Sequence, residues 1–223
     1  MKQKSIPGKK QTPLPGSSRS DIRRQALVLA AYQLIAAKGF EGLRVRDIAA
    51  EAGVNIATLH YYFNSKEDLI RGVVEHMVHL FLTLKAPFPA EGSETAAQKL
   101  RHIFLDLQYQ LQQAPQMFVV FTELHLRSQR DPTMRAILRN LNEAWQAQIE
   151  AICQEGIRQG TFRPDLDVHR AASEVIALIK GISLQAASQL DTFNFERLAA
   201  DVEQWFANPT IKTFVPAKGR KGT

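Results

Sequence analysis

The sequence predicts an all-α chain of about nine helices, and three observations carry that prediction. Apolar residues recur at spacings of three and four through every long segment, capping residues and prolines punctuate those segments, and no stretch alternates with a period of two. The 223 residues suffice for one well-buried domain or two small ones, at about 100–200 residues per domain.

Taken in order, residues 1–18 are rich in Pro, Gly, Ser and Lys without apolar periodicity, and read as a disordered basic arm. From Arg19 to Lys38, Leu27, Ala30, Ala31, Leu34 and Ile35 fall on one helical face, with Ser18 or Ser20 as N-cap and Gly39 as the stop. A short helix at about 45–51, a turn at 52–55 and a second short helix at 56–63 follow. Ser65 is placed to cap a helix that starts at Lys66 and runs toward Leu84, stopping before Pro87 and Pro89. The next begins near Ser93 and carries Leu100, Ile103, Phe104, Leu107 and Leu111. Pro115 opens another, through about Ser128. Asp131-Pro132 is a cap followed by proline at the first helical position, and opens a long helix striped by Met134, Ile137, Leu138, Leu141, Trp145, Ile149 and Ile152. Gly156 and Gly160 bracket its end. The last two helices are predicted over about 168–190 and 195–206, and the basic residues 208–223 form a flexible tail.

The formal charge of +6 is unevenly spread. Residues 1–76 hold 12 Lys/Arg against 7 Asp/Glu, residues 77–207 hold 12 against 15, and the last 16 hold 4 against none. A basic front on a slightly acidic body points to a polyanion at the front end. The single cysteine, Cys153, excludes an intramolecular disulfide and CxxC chemistry. With no apolar run of about 18 residues and no apolar stretch behind the N-terminal lysines, neither a membrane span nor a secretory leader is expected, and the expected location is cytoplasmic.

One constellation carries chemistry. In the short helix, turn and short helix of 45–63, Ile48, Ala49 and Ala52 are expected inward on the first helix, and Ile56, Leu59 and Phe63 inward on the second. Gly53 sits where the bend needs a permissive backbone. The second helix then presents Ala57, Thr58, His60 and Tyr61 outward with Tyr62 at its flank, a face without a carboxylate. Ala57 and Thr58 can meet a thymine methyl or a base edge. His60, Tyr61 and Tyr62 have donors for phosphates, and Lys66 adds a charge beside a helix start. Arg44, Arg46 and Asn55 flank the same unit and complete the candidate DNA-binding set.

GFEGLRVRDIAAEAGVNIATLHYYFNSKEDL resembles the helix-turn-helix signature of TetR-family transcriptional regulators, with agreement in order and spacing over about 22–69. The sequence departs from that family at His60, where a tyrosine is usual. The resemblance implies a three-helix DNA-binding domain (19–66) on a helical effector-binding and dimerisation body (67–207). It implies a homodimer on a palindromic double-stranded DNA operator, and a regulator, most often a repressor, answering to a small-molecule effector. From Phe121 to about Gln185 the chain is similar to the BetI type of C-terminal domain, which is shared by regulators of differing ligands.

Within the body, His79, His102, Tyr109, Met117, Phe118, Phe121 and His125 are the candidate effector-lining residues. An aromatic set of this kind suits a cationic ligand by cation–π attraction, or an apolar one. Glu123 is placed to balance a cation. Residues 168–190 are apolar nearly all round (Ala172, Val175, Ile176, Leu178, Ile179, Ile182, Leu184), which asks for two partners, core on one side and a second chain on the other. Val175, Ile179, Ile182, Leu198, Val202 and Trp205 are the candidate dimer interface.

Enzyme signatures are absent: no GxSxG, GxxxxGK[ST] or GxGxxG occurs in a suitable place. His76 and His79 share a helix face without a third ligand at suitable spacing, so no metal, cofactor or catalytic residue is expected. The alternatives are a regulator or activator whose body binds a protein partner, and an all-helical enzyme.

Overall fold

The structure, a computed structural model, describes residues 18–88, 94–189 and 193–207. Residues 1–17 of the predicted arm, the tail, and the expected helix limits at Ser93 and Leu190 lie outside these residues. Nine α-helices occupy the described residues: α1 (Arg19–Lys38), α2 (Val45–Glu51), α3 (Ile56–Tyr62), α4 (Lys66–Thr83), α5 (Ala96–Gln113), α6 (Pro115–Ser128), α7 (Pro132–Arg158), α8 (Val168–Gln189) and α9 (Phe195–Phe206). The one β feature among them is an isolated antiparallel bridge between Phe162 and Ala207.

Capping chemistry fixes most of the helix starts. Ser18 and Asp21 form a reciprocal capping box on α1, and Thr95 and Gln98 form another on α5. Thr95 therefore sets the start of α5 at Ala96. Ser65 Oγ accepts from the Asp68 N–H at 3.0 Å at the head of α4. Asp131 Oδ1 accepts from the N–H groups of Thr133 and Met134 at the head of α7, with Pro132 in the first turn.

The chain divides into two compact units between His76 and Met77, inside α4. This lies about ten residues beyond the boundary expected at 66, because the first half of α4 belongs to the N-terminal core. Leu69, Ile70, Val73 and Val74 are buried with Leu27, Val28, Ala31 and Ile35 of α1, Ile48 and Ala49 of α2, and Leu59 and Phe63 of α3. Further along α4, the His76 ring meets Tyr32 edge-on at 5.3 Å, and Arg24 pairs with Glu75 at 3.8 Å. Burial pushes the Tyr32 hydroxyl up to about 12. His76 is thus a core residue while His79 stands exposed.

In the C-terminal unit, α5 packs on α9 and α7 on α8. Arg101 of α5 grips Glu203 of α9 through two hydrogen bonds of 2.7 Å. Asp106, largely buried, holds the segment after α4: its carboxylate accepts from the Ala86 N–H at 2.9 Å and pairs with Lys85 at 2.9 Å. Phe162 lies against Gly156, meets Phe206 edge-on at 5.8 Å, and is followed by Arg163, whose N–H donates to Phe206 O.

Two expectations are corrected here. Ile56, expected inward, is 46% exposed, because it is the first residue of α3 and lies at the edge of the turn rather than over the core that Leu59 and Phe63 fill. Val175, Ile179, Ile182 and Val202, expected at a dimer interface, are at most 3% exposed within the single chain. Side chains already covered by their own protomer have almost no surface left to bury against a second one. Leu198 is half-buried and Trp205 is 57% exposed, so these two alone of that set keep available surface.

Candidate nucleic-acid interface

The turn between α2 and α3 is made by Gly53 at φ 68°, a left-handed conformation that a β-carbon would strain. Asn55 then caps α3, its Oδ1 accepting from the Thr58 N–H at 2.7 Å and from the Thr58 hydroxyl at 2.9 Å. With Leu59 and Phe63 anchored in the core, the remaining faces of this two-turn helix are turned out. Ala57 and His60 are exposed, Tyr61 is 80% exposed, and Thr58 and Tyr62 are half-buried. The Tyr61 and Tyr62 rings meet edge-on at 5.1 Å, which stiffens the most prominent side chain of the face.

Asn55, Ala57, Thr58, Tyr61 and Tyr62 share an open concavity of about 620 Å³ with Arg19, Ser20 and Arg23 at the start of α1. Arg19 and Arg23 are exposed. Sequence reasoning missed Arg23: the available signal was its place one turn after Arg19 on the solvent side of α1. Arg44 and Arg46 are exposed at the head of α2, Arg46 beside Asp47 at 3.4 Å. Lys66 is engaged within the unit, its ammonium donating to Leu43 O at 3.3 Å and lying 4.4 Å from the centre of the Phe40 ring. The surface so formed combines arginines, aromatic hydroxyls and small residues, with no acidic side chain on α3.

The candidate effector residues separate into groups. His102 lies in an open groove of about 620 Å³ beside α5 and α7, stacked on Phe88 at 4.0 Å and 3.1 Å from Glu94. The lysines of that groove are already paired, Lys85 with Asp106 and Lys99 with Glu155. Met117, Phe118 and Phe121 are buried on α6, and Tyr109 is half-buried on α5. Around Phe121 an aromatic wall forms: Phe81 meets Phe118 at 6.0 Å, Phe121 at 6.3 Å and Trp145 at 5.5 Å, and the His125 ring lies 4.1 Å from Phe121. His125 Nδ1 is 3.0 Å from Phe121 O, and its Nε2 is buried without a hydrogen-bond partner among the described residues. Burial, opposed by that carbonyl and aided by nearby Lys180, lowers the affinity of this imidazole for a second proton. Burial also lowers the proton affinity of Lys180, which donates to Asn142 Oδ1 at 2.9 Å.

On α8, Ala177, Gly181 and Leu184 are exposed at spacings of four and three, with open space where a Gly181 side chain would stand. No described helix is long and apolar enough to cross a membrane.

Comparison with known proteins agrees with this architecture. Residues 27–73 match the family described as bacterial regulatory proteins, tetR family, and residues 96–208 match the BetI-type transcriptional repressor, C-terminal. The HTH-type transcriptional regulator BetI of Agrobacterium fabrum is 26% identical over 90% of this chain and 94% of its own. The fatty acid metabolism regulator protein of Bacillus subtilis is 26% identical over 69% of this chain and 77% of its own. Among solved structures, a TetR transcription regulator from Haloarcula marismortui superposes with a TM-score of 0.70 at 19% identity, covering 84% of this chain and all of that one. A transcriptional regulator from Saccharomonospora viridis in complex with choline gives 0.63 at 23%, covering 83% and 95%. At those identities the structures show a shared fold. The BetI-type match alone spans more than half of the residues, and the chain belongs to the TetR family as a DNA-binding transcriptional regulator.

Proposed function

We propose that the protein is a ligand-responsive repressor that binds a two-fold DNA operator as a homodimer. The observation that carries this reading is the exposed face of α3, without a carboxylate of its own and sharing one concavity with Arg19 and Arg23. In this reading Ala57 and the methyl of Thr58 approach base edges in the major groove, while His60, Tyr61, Tyr62, the arginines and Lys66 position the helix on phosphates. The amide N–H₂ of Asn55 is the other donor at the helix head. Two such heads enter successive major grooves about 34–36 Å apart.

Pairing of two chains through the exposed Ala177, Gly181 and Leu184 of α8 and through Trp205 of α9 supplies the two-fold axis. A small effector held in the C-terminal unit favours a body conformation in which the head separation is wrong for DNA. Each tenfold loss of operator affinity then needs about 1.4 kcal/mol of differential effector binding, and the coupling is reciprocal. Two effector chemistries have support among similar proteins: one solved neighbour is a complex with choline, and one relative is a regulator of fatty acid metabolism.

A footprint on the DNA flanking the protein's own gene, at about physiological salt, tests the reading. A protected two-fold stretch is expected. Sequence-independent binding that vanishes with salt would replace it with an architectural role.

A further inference from the structure

We infer that DNA binding by this protein is proton-linked through His60: the imidazole takes up a proton as it meets a backbone phosphate, so one flank of α3 grips DNA more tightly as pH falls. The inference rests on the proposal above that the outward face of α3 contacts DNA, and adds a regulation of that same face.

The two flanks of α3 are built differently. At about 100° per residue, Leu59 and Phe63 mark the buried side, Ala57 and Tyr61 the outward crest, Thr58 and Tyr62 one flank and His60 the other. The hollows beside the helix follow that division. Thr58 and Tyr62 share a concavity with Arg19 and Arg23 of α1. His60 instead lines a small recess with Leu43 and Val45 at the head of α2 and with Ser65 and Lys66 at the head of α4. A helix laid in a major groove about 12 Å wide has a phosphate row on each side, so each flank faces one strand.

The charge on the α1 flank is fixed, since a guanidinium stays protonated at any ordinary pH. On the other flank the Lys66 ammonium is already engaged with Leu43 O and the Phe40 ring. His60 is exposed there, and its ring has no hydrogen bond or ion pair among the described residues. Imidazole is the side chain that ordinarily changes charge between pH 5 and 8, and His60 is the one such group on α3. The charged groups around it are Lys66 in the recess, Arg44 between Leu43 and Val45, and the acids of α2 and α4. Asp47 pairs with Arg46, Asp68 accepts from the Asn64 N–H, and neither these nor Glu51 and Glu67 line the recess. With no carboxylate in the recess, the anion that stabilises an imidazolium arrives with the DNA. Neutral imidazole, a phosphodiester anion and one proton from solvent give an imidazolium–phosphate pair, the ring N–H donating to a phosphate oxygen. The complex then holds more protons than its separate parts, and affinity falls as pH rises through the imidazole range.

Fluorescence anisotropy of the full chain at about pH 6 and about pH 8, over a series of salt concentrations, tests the linkage. The probes are a labelled duplex from the footprinted DNA and a scrambled duplex of equal length and composition. On both, the parent chain should bind about tenfold more tightly at the lower pH, with a log–log salt slope steeper by about 0.9 for each reading head. His60→Gln should bind at both pH values as the parent does at the higher one, and His60→Arg should keep the tight binding throughout. Both variants should unfold near the parent's temperature, because the side chain they replace is exposed. A parent chain whose binding ignores pH, or a pH dependence that survives in His60→Gln, overturns the inference. So does a pH dependence confined to the footprinted duplex, which would place the ring on a base edge. Equal affinity for the two duplexes with the pH dependence intact removes the operator reading alone. A preference for the footprinted duplex that does not change with pH removes this inference alone.

Discussion

Asn55 Oδ1 accepts two hydrogen bonds from Thr58, one from the backbone N–H at 2.7 Å and one from the hydroxyl at 2.9 Å. The residue that caps α3 and the residue proposed to meet a base edge are therefore one unit. The Thr58 hydroxyl proton is committed to its neighbour, which leaves the methyl group and the oxygen lone pairs for a base edge. Asn55→Ala should cost about 1 kcal/mol of stability through loss of the cap. Asn55→Asp keeps both acceptor roles and should hold stability to a few tenths of that, while weakening DNA binding by placing a negative charge at the helix head. Denaturant unfolding and operator binding, measured on both variants, check the pair.

Lys66 divides its ammonium between Leu43 O and the face of Phe40. Lys66→Met keeps the stem and removes the charge. It is expected to cost about 1 kcal/mol of stability. If the same ammonium also meets a phosphate, the slope of log affinity against log salt falls by about 0.9. Stability loss with an unaltered slope would leave Lys66 as a brace between α4 and the loop before α2.

A β-carbon at Gly156 would stand 2.1 Å from the Phe162 ring, which itself packs against Phe206. Gly156→Ala should destabilise the C-terminal unit by about 1–3 kcal/mol, as overpacking does. Adding Phe162→Leu should recover part of that loss, a non-additivity that a double-mutant cycle reads directly.

Cys153 is fully buried on α7, and burial, with nearby Glu150, pushes its thiol up to about 11. At pH 8 only about one thiol in a thousand would be ionised even if it were reached. An aromatic disulfide reagent should leave the folded protein unmodified for hours and react once with the protein unfolded in guanidinium chloride.

Legibility followed the range of the physics. Helix starts were readable because Ser18 with Asp21, Ser65 with Asp68, and Asp131 with Pro132 act within a few residues of themselves. The outward face of α3 was readable because Leu59 and Phe63 leave it one way to turn. What failed depended on distant packing. Val175 and Val202 look alike in sequence whether they meet their own chain or a second one. The isolation of His125 Nε2 and the Lys180–Asn142 bond join three different helices that no spacing rule connects. Arg23 sits more than thirty positions from the Tyr61 with which it lines one concavity.

The central claim, that the exposed face of α3 contacts operator DNA, meets its most direct test in Tyr61→Ala. At 80% exposure the side chain adds little to the fold, so unfolding temperature and oligomeric state should match the parent chain. Operator affinity at about 0.15 M salt should fall about tenfold, equivalent to about 1.4 kcal/mol of lost contact. A variant that folds, assembles and binds the operator as tightly as the parent would contradict the account.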